Sequence, residues 1–379
     1  IQFSTNCQQI IGFYEINCLN LMYLIIISKR FDNIIIGVCL GITIKDIAKI
    51  AGVSTSTVSL VLSGKGYVSD QTKSKVQSII DEYNYRPLRS ARQLASNKTG
   101  NIGFIISDVH LSRSESFYTR ILLGAELEAR NYDAYILLSS VGSISEKKQI
   151  IPRFLNAREI DGVIVAGSVH VDLIKHIMKE NIPVVLIDYD VMGMKLNTIL
   201  MDNHLGIKQI VSHLVAQKMT KIGFIGGSST HPSIKERFSG YQIAMEFYGL
   251  EKIARNTQYH YIVEKETSTE IGSDGVEAVL TNVKDLEAVI CVNDTTAIGC
   301  LKKLDEMNKK VPNDIAVVGF DDINYSAIAQ PPITTVHVPK IEMGVEGVKR
   351  LMELIENPNQ LYQKRLIPVE LVERISSIK

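Results

Sequence analysis

Thr43-Ile44-Lys45-Asp46-Ile47-Ala48-Lys49-Ile50-Ala51-Gly52-Val53-Ser54-Thr55-Ser56-Thr57-Val58-Ser59 is the stretch on which the first domain turns. Thr43 is placed to cap the orphan N–H groups of a helix, and Asp46, three residues on, favours the positive end of its dipole. Ile44, Ile47, Ala48 and Ala51 recur on one helical face. Gly52 supplies a turn. Ser54 is a second N-cap in front of Thr55 to Leu62, whose Val58, Val61 and Leu62 point back to the first helix. A third helix from about Ser69 sets Val76, Ile79, Ile80 and Tyr83 at helical spacing, and Pro87 stops it. Two short helices joined by a glycine turn, closed by a third, follow the helix-turn-helix plan. About 45 residues barely bury a core of their own, so residues 43–88 read as a headpiece attached to something larger.

Charge distribution agrees. The 379 residues are 45% hydrophobic and 22% charged, the composition of a packed protein of two or three units. A formal net charge of zero argues against a cationic coat over the whole chain. Between Thr43 and Lys98, however, nine Lys and Arg (Lys45, Lys49, Lys65, Lys73, Lys75, Arg86, Arg89, Arg92, Lys98) meet four acids (Asp46, Asp70, Asp81, Glu82), a local excess of +5. Five cysteines without CxxC pairs give neither a disulfide framework nor a zinc site and suit a cytoplasmic location. Residues 1–42 hold two apolar runs, Leu19 to Ile27 and Ile34 to Ile42, each short of the roughly 20 residues a spanning helix needs. They read as an atypical extension outside the working protein, with a membrane anchor as the alternative.

From Asn101 onward, short apolar runs (Ile102 to Ile106, Tyr135 to Leu138, Gly162 to Val165, Val184 to Ile187, Ile222 to Ile225, Ala288 to Val292, Ile315 to Phe320) alternate with helical stretches such as Phe117 to Arg130, Ile207 to Gln217, Glu236 to Tyr248 and Thr295 to Met307. This is the pattern of doubly wound parallel sheets. The elements exceed one such sheet, so the expected α/β core is two-lobed, with the first crossing near Leu200 to Asn203. The expected division is a linker at 89–99 and a core at 100–379. Its N-lobe takes about 100–200 plus 325–345, and its C-lobe about 201–324 plus 346–379. Open parallel sheets bind ligands beyond the carboxyl ends of their strands, which makes the interlobe cleft the natural pocket.

The Thr43 to Ser59 run closely resembles the headpiece of the lac-repressor (LacI/GalR) family, as does Tyr83-Asn84-Tyr85-Arg86-Pro87 followed by Ala91-Arg92-Gln93-Leu94. Leu88 and Ser63 depart from the family pattern, each standing where Asn is common. The resemblance implies a homodimeric, allosterically controlled repressor of palindromic operator DNA. Its DNA contacts would come from Thr43, Ser54, Thr55, Ser56, Thr57, Ser59, Leu60, Ser69 and, on a hinge helix spanning Ser90 to Ala95, Ala91 and the minor-groove wedge Leu94. Read without the resemblance, the Ser/Thr turn is capping chemistry and Leu94 a linker residue.

The remainder resembles the family's sugar-binding core, itself similar to periplasmic binding proteins. Matching ligand-facing positions are Phe117, Tyr118, Asp188, Tyr189, Arg237, Asn293, Asp294 and Asp321, with Asp108 a weaker candidate. Aromatics stack on a sugar face, carboxylates accept hydroxyl protons and arginine donates a planar fork. As plainer alternatives, Asp188 and Asp321 cap turns, Arg237 pairs with an acid and Phe117 or Tyr118 sits in the core. GxGxxG, GxSxG, HExxH and Cys/His metal clusters are missing from the sequence, so neither an enzyme nor a cofactor or metal is expected. His110, His170, His204 and His231 fall near strand ends. An exported solute-binding protein would share the lobes but has no use for a headpiece.

Overall fold

The computed structural model describes residues 42–64, 66–85, 98–112, 117–142, 151–229 and 231–378. The hinge helix expected over Ser90 to Ala95, with Ala91 and Leu94, lies outside the described residues, as does the extension up to residue 41. The chain divides into two compact units, with the boundary before Lys98.

In the first unit, α1 (Ile44–Ala51) starts with a complete capping box. The Asp46 N–H donates to Thr43 Oγ1 at 3.4 Å, and the Thr43 N–H donates to the Asp46 carboxylate at 3.0 Å. Gly52 ends the helix at φ 69°, a left-handed conformation that costs a residue without Cβ little. Helix α2 (Thr55–Ser63) is capped by Ser54, which accepts the Thr57 N–H at 3.1 Å, and α3 (Asp70–Glu82) by Ser69. Ile47, Ala48, Ala51, Val58, Val61, Val76, Ile79 and Ile80 form the core. Tyr83, expected there, is 48% exposed, and Tyr85 is buried in its place. Asn84 at φ 47° breaks the 3.6-residue period, and the Tyr85 N–H returns to the Ile80 carbonyl at 2.9 Å. The helix therefore stops at Glu82, before Pro87 acts.

The second unit runs β1 (Asn101–Ser107), α4 (Phe117–Asn131), β2 (Tyr135–Val141), β3 (Gly162–Ala166), α5 (Val171–Lys179), β4 (Val184–Ile187) and β5 (Asn197–Met201). It crosses into α6 (Asn203–Ala216), β6 (Ile222–Gly226), α7 (Pro232–Phe247), β7 (His260–Ile262), α8 (Thr269–Asn282), β8 (Ala288–Cys291), α9 (Asp294–Glu306) and β9 (Ala316–Val318). It closes with β10 (Thr335–His337), α10 (Lys340–Glu356), β11 (Lys364–Ile367) and β12 (Glu370–Val372). Among the described residues, one parallel sheet has the order β11-β5-β4-β3-β1-β2 and the other β7-β6-β8-β9. Strands β3, β4, β6 and β8 are buried throughout, which is why they read as unbroken apolar runs: helices cover both faces.

The lobe boundaries need correction. Strand β11 pairs with β5, setting Leu366 opposite Leu200, and α10 packs on α4 and on β3 to β5, so 340–367 belong to the first lobe. Strands β10 and β12 pair with each other in the second. Small residues explain why α10 docks where it does. A Cβ on Gly124 of α4 would lie 2.0 Å from the Ile341 carbonyl oxygen, and one on Gly344 of α10 would lie 2.1 Å from that of Ile121. The second lobe uses the same device. Gly272 of α8 and Gly299 of α9 leave room for the Thr296 and Thr269 carbonyls at 1.9 and 1.8 Å. Helices α6 and α7 start a turn earlier than expected, because their polar first turns carry no apolar period.

Candidate functional site

On the headpiece, Thr55, Ser56, Ser59 and Leu60 are exposed along α2, while the Thr57 hydroxyl lies 2.9 Å from Ser54 Oγ within the cap. Short hydroxyls presented from the second helix of such a motif suit phosphate oxygens and base edges. Ser54, Thr43 and Ser69 each spend their side-chain oxygen on capping. Leu60 is flanked by the following loop, since a Cβ on Gly66 (φ 89°) would lie 3.1 Å from its Cδ2. Tyr67, in that loop, is 95% exposed and was passed over in the sequence; a large aromatic between Gly66 and the Ser69 cap was the available signal.

In the core unit the carboxyl ends of β4 and β9 and the start of α7 converge. Asp188, at φ 57° just after β4, accepts the Tyr118 hydroxyl at 2.7 Å from the first lobe and the Ser233 hydroxyl at 2.6 Å from the second. Burial, then the charge of Asp188, hold the Tyr118 phenol well above its usual range. Phe117 meets Tyr118 edge-on with centroids 5.0 Å apart, and His110 lies 4.3 Å from the same ring.

Arg237, 5% exposed on α7, is fully committed. Its Nε donates to Asn203 Oδ1 at 2.8 Å, Nη1 to the Val292 carbonyl at 2.8 Å, and Nη2 to Asp321 Oδ1 at 2.9 Å, with the Met201 sulfur at 3.1 Å. The guanidinium also lies 3.8 Å from the Phe320 ring centroid. A planar, permanently charged fork is what such a site requires.

The structure thus brings Phe117, Tyr118, Asp188, Arg237 and Asp321 together, and gives three other expected residues different partners. Tyr189 packs on the opposite face of the first sheet, its hydroxyl 3.4 Å from the Val169 carbonyl. Asn293 caps α9 through Thr296 and donates to Thr267 at 3.1 Å. Asp294 is wholly buried and takes the Ile323 N–H and the Ser326 and Thr335 hydroxyls at 2.9, 2.6 and 2.6 Å. Asp108 is exposed. Sequence reasoning missed Ser233 and Asn203, which lie ahead of the apolar periods by which their helices are read. His231, at the head of α7, has its basicity lowered by burial, and its Nδ1 has no partner among the described residues. The described residues contain no His/Cys/Asp/Glu group able to hold a metal and no helix long and apolar enough to cross a membrane.

Comparison with known proteins bears on both units. Residues 43–87 match the family described as bacterial regulatory proteins, lacI family, and residues 211–377 match a periplasmic binding protein-like domain. The ribose operon repressor of Haemophilus influenzae is 30% identical over 342 residues, covering 89% of this chain and 99% of that protein. The HTH-type transcriptional regulator RegA of Clostridium saccharobutylicum is 32% identical over 338 residues, covering 89% and 99%. A solved lac repressor dimer, bound to operator and the anti-inducer ONPF, aligns with a TM-score of 0.72 at 25% identity, covering 89% of this chain and 99% of that one. A helix-turn-helix headpiece and a two-lobed core, with these relatives along nearly the whole described length, place the chain in the LacI family, whose members are bacterial transcription regulators and not enzymes.

Proposed function

We propose that the chain is a repressor that binds palindromic operator DNA as a homodimer and changes its operator affinity when a sugar or sugar derivative occupies the interlobe cleft. The observation that carries this reading is Asp188, a carboxylate whose side-chain hydrogen bonds among the described residues are to hydroxyl groups of the two lobes, beside an Arg237–Asp321 pair and the Phe117 and Tyr118 rings. A polyol offers the same donors as Tyr118 and Ser233, and aromatic rings suit the apolar face of a pyranose or furanose. Thr55, Ser56, Ser59 and Leu60 read base edges, and residues 89–99, with Ala91 and Leu94, form the linker that enters the minor groove. Tyr189, Asn293 and Asp294 support the cleft without touching ligand.

Ligand acts by linkage. Whatever binds one lobe arrangement more tightly shifts the population toward it, and the spacing of the paired headpieces follows. The full-length protein is tested by selecting duplexes from a random pool and then measuring operator binding by fluorescence anisotropy with pentoses, hexoses, disaccharides and nucleobases. A palindromic consensus whose affinity shifts with a sugar supports the reading. A response to nucleobases alone overturns the ligand class, and no preference over random DNA under any addition overturns the operator function.

A further inference from the structure

Lys340 occupies a position that electrostatics disfavours. It is the first residue of α10, where the helix dipole is positive, and is 4% exposed. Burial lowers its basicity, opposed by the charges of Asp321, Asp322 and Asp294. The ammonium is satisfied by three carbonyl oxygens: that of Asp321, that of Asp322 at 3.3 Å and that of Val338 at 3.1 Å. It also lies 5.7 Å from the centroid of Phe117. Two of the carbonyls belong to a turn with consecutive non-glycine residues at positive φ, 104° for Asp321 and 51° for Asp322. Such a turn is strained and persists only when its surroundings over-determine it. Its carboxylates are held within the second lobe, Asp321 by Arg237, and Asp322 by Arg374 at 2.7 Å and His337 at 2.9 Å. Its carbonyls face a helix that belongs to the first.

We propose that Lys340 is an interlobe pin: anchored by α10 in the first lobe, its ammonium grips the backbone of the Asp321–Asp322 turn of the second and sets the lobe arrangement against which any effector must work. Other interlobe contacts among the described residues are of a different kind, the buried one from Arg237 to the Met201 sulfur being part of the proposed ligand site. Arg120 to Asn324 is exposed, and Ser233 to Asp188 lies in the proposed ligand site itself. Lys340 needs no ligand for this role, so its failure and that of the sugar reading are separable.

Hydrogen–deuterium exchange on the full-length protein without added ligand tests the pin. In Lys340→Met, which keeps the stem and removes the charge, amides along both cleft walls (117–121 and 186–189 in the first lobe, 231–237 and 319–323 in the second) are expected to exchange about tenfold faster or more, while β3 and β8 keep their wild-type protection. Acceleration confined to 319–323 and 338–342, or none at all, overturns the proposal. Lys340→Arg keeps a cation too broad for three converging carbonyls. It is expected to give the two-wall pattern at smaller amplitude, and it decides the matter by the same criterion if the Met variant does not fold.

Discussion

Replacing Arg237 by Met keeps an apolar stem over Phe320 and removes every donor the guanidinium supplies. Asp321, 8% exposed, then loses the Arg237 guanidinium, while Asn203 Oδ1 and the Val292 carbonyl lose its N–H donors. Removing one partner of a buried ion pair costs about 3–5 kcal/mol, because the remaining charge is uncompensated. Each stranded acceptor adds about 1–3 kcal/mol, reduced where cleft water replaces the lost donor. The expected loss is about 5 kcal/mol, the low end of that sum, which a domain in the middle of the ordinary range of about 5–15 kcal/mol survives at 25 °C. Adding Asp321→Asn removes the carboxylate that Arg237 paired with, so the double variant should be more stable than the sum of the two single losses by about 2 kcal/mol. Urea unfolding followed by circular dichroism measures both, with an unchanged m-value confirming that the same surface unfolds. Operator affinity without ligand should be retained and its response to ligand abolished. A loss under about 1 kcal/mol, or additivity of the pair, would refute the view that this cluster is a single interdependent network.

Three further outcomes follow from local geometry. Gly124→Ala forces α4 and α10 apart, since the new Cβ would lie 2.0 Å from the Ile341 oxygen; overpacking of this kind costs about 1–3 kcal/mol, and a wild-type urea midpoint would disprove the close crossing. Ser54→Ala removes the α2 cap and should cost about 1 kcal/mol, seen as roughly fivefold faster exchange of the Thr57 amide, with Ser54→Asp restoring protection. His260, wedged edge-on against Phe238 and Tyr241, is pushed down to about 4 by burial. Its folded value lies below the unfolded one, so its contribution is complete above about pH 6.5 and is lost as pH falls toward 4, about 1–2 kcal/mol after screening. His260→Phe should flatten the stability profile in that window relative to wild type, and parallel profiles would show that His260 is not the titrating group.

The sequence made the elements legible where one physical rule acted alone. Caps at Thr43 and Ser54 combine a side-chain oxygen with an apolar period, and both hold; the third helix, read from about Ser69, is capped by that residue. Central strands buried on both faces announce themselves as β-branched runs. What stayed hidden was decided by partners distant in the chain. Nothing local to Lys364–Ile367 says that it pairs with β5, some 160 residues earlier, and α10 is an amphipathic helix that either lobe could have received until Gly124 and Gly344 are seen to meet. The cleft was legible as strand ends, but Ser233 and Asn203 were not, because their roles depend on Asp188 and Arg237 arriving from other elements. Tyr189 shows the converse: Asp188 at φ 57° interrupts the extended strand, so Tyr189 packs with Val184 and Leu186 and not on the face of Val185 and Ile187 that alternation would give it.

Asp188, Asp294 and Asp321 each follow a strand and have equal standing in the sequence, yet their surroundings give them different work. Asp294 is wholly buried and its hydrogen-bond donors among the described residues are neutral; desolvation, then the nearby charge of Asp321, push it up to about 7, so it is divided between protonated and ionised forms near neutrality. It rivets the segment after β9 to the start of β10. Asp321 is matched to Arg237, and prising the two apart would strand two charges out of water. Asp188 alone is held by two hydroxyls, one from each lobe. Exchanging a protein hydroxyl for a ligand hydroxyl there changes neither charge nor the number of hydrogen bonds, so it is the position where the proposed polyol enters at least cost. Because the Ser233 hydroxyl reaches across from the second lobe, that same exchange releases or replaces a contact between the lobes. The most exchangeable polar group in the cleft is therefore also the one whose exchange bears on lobe arrangement.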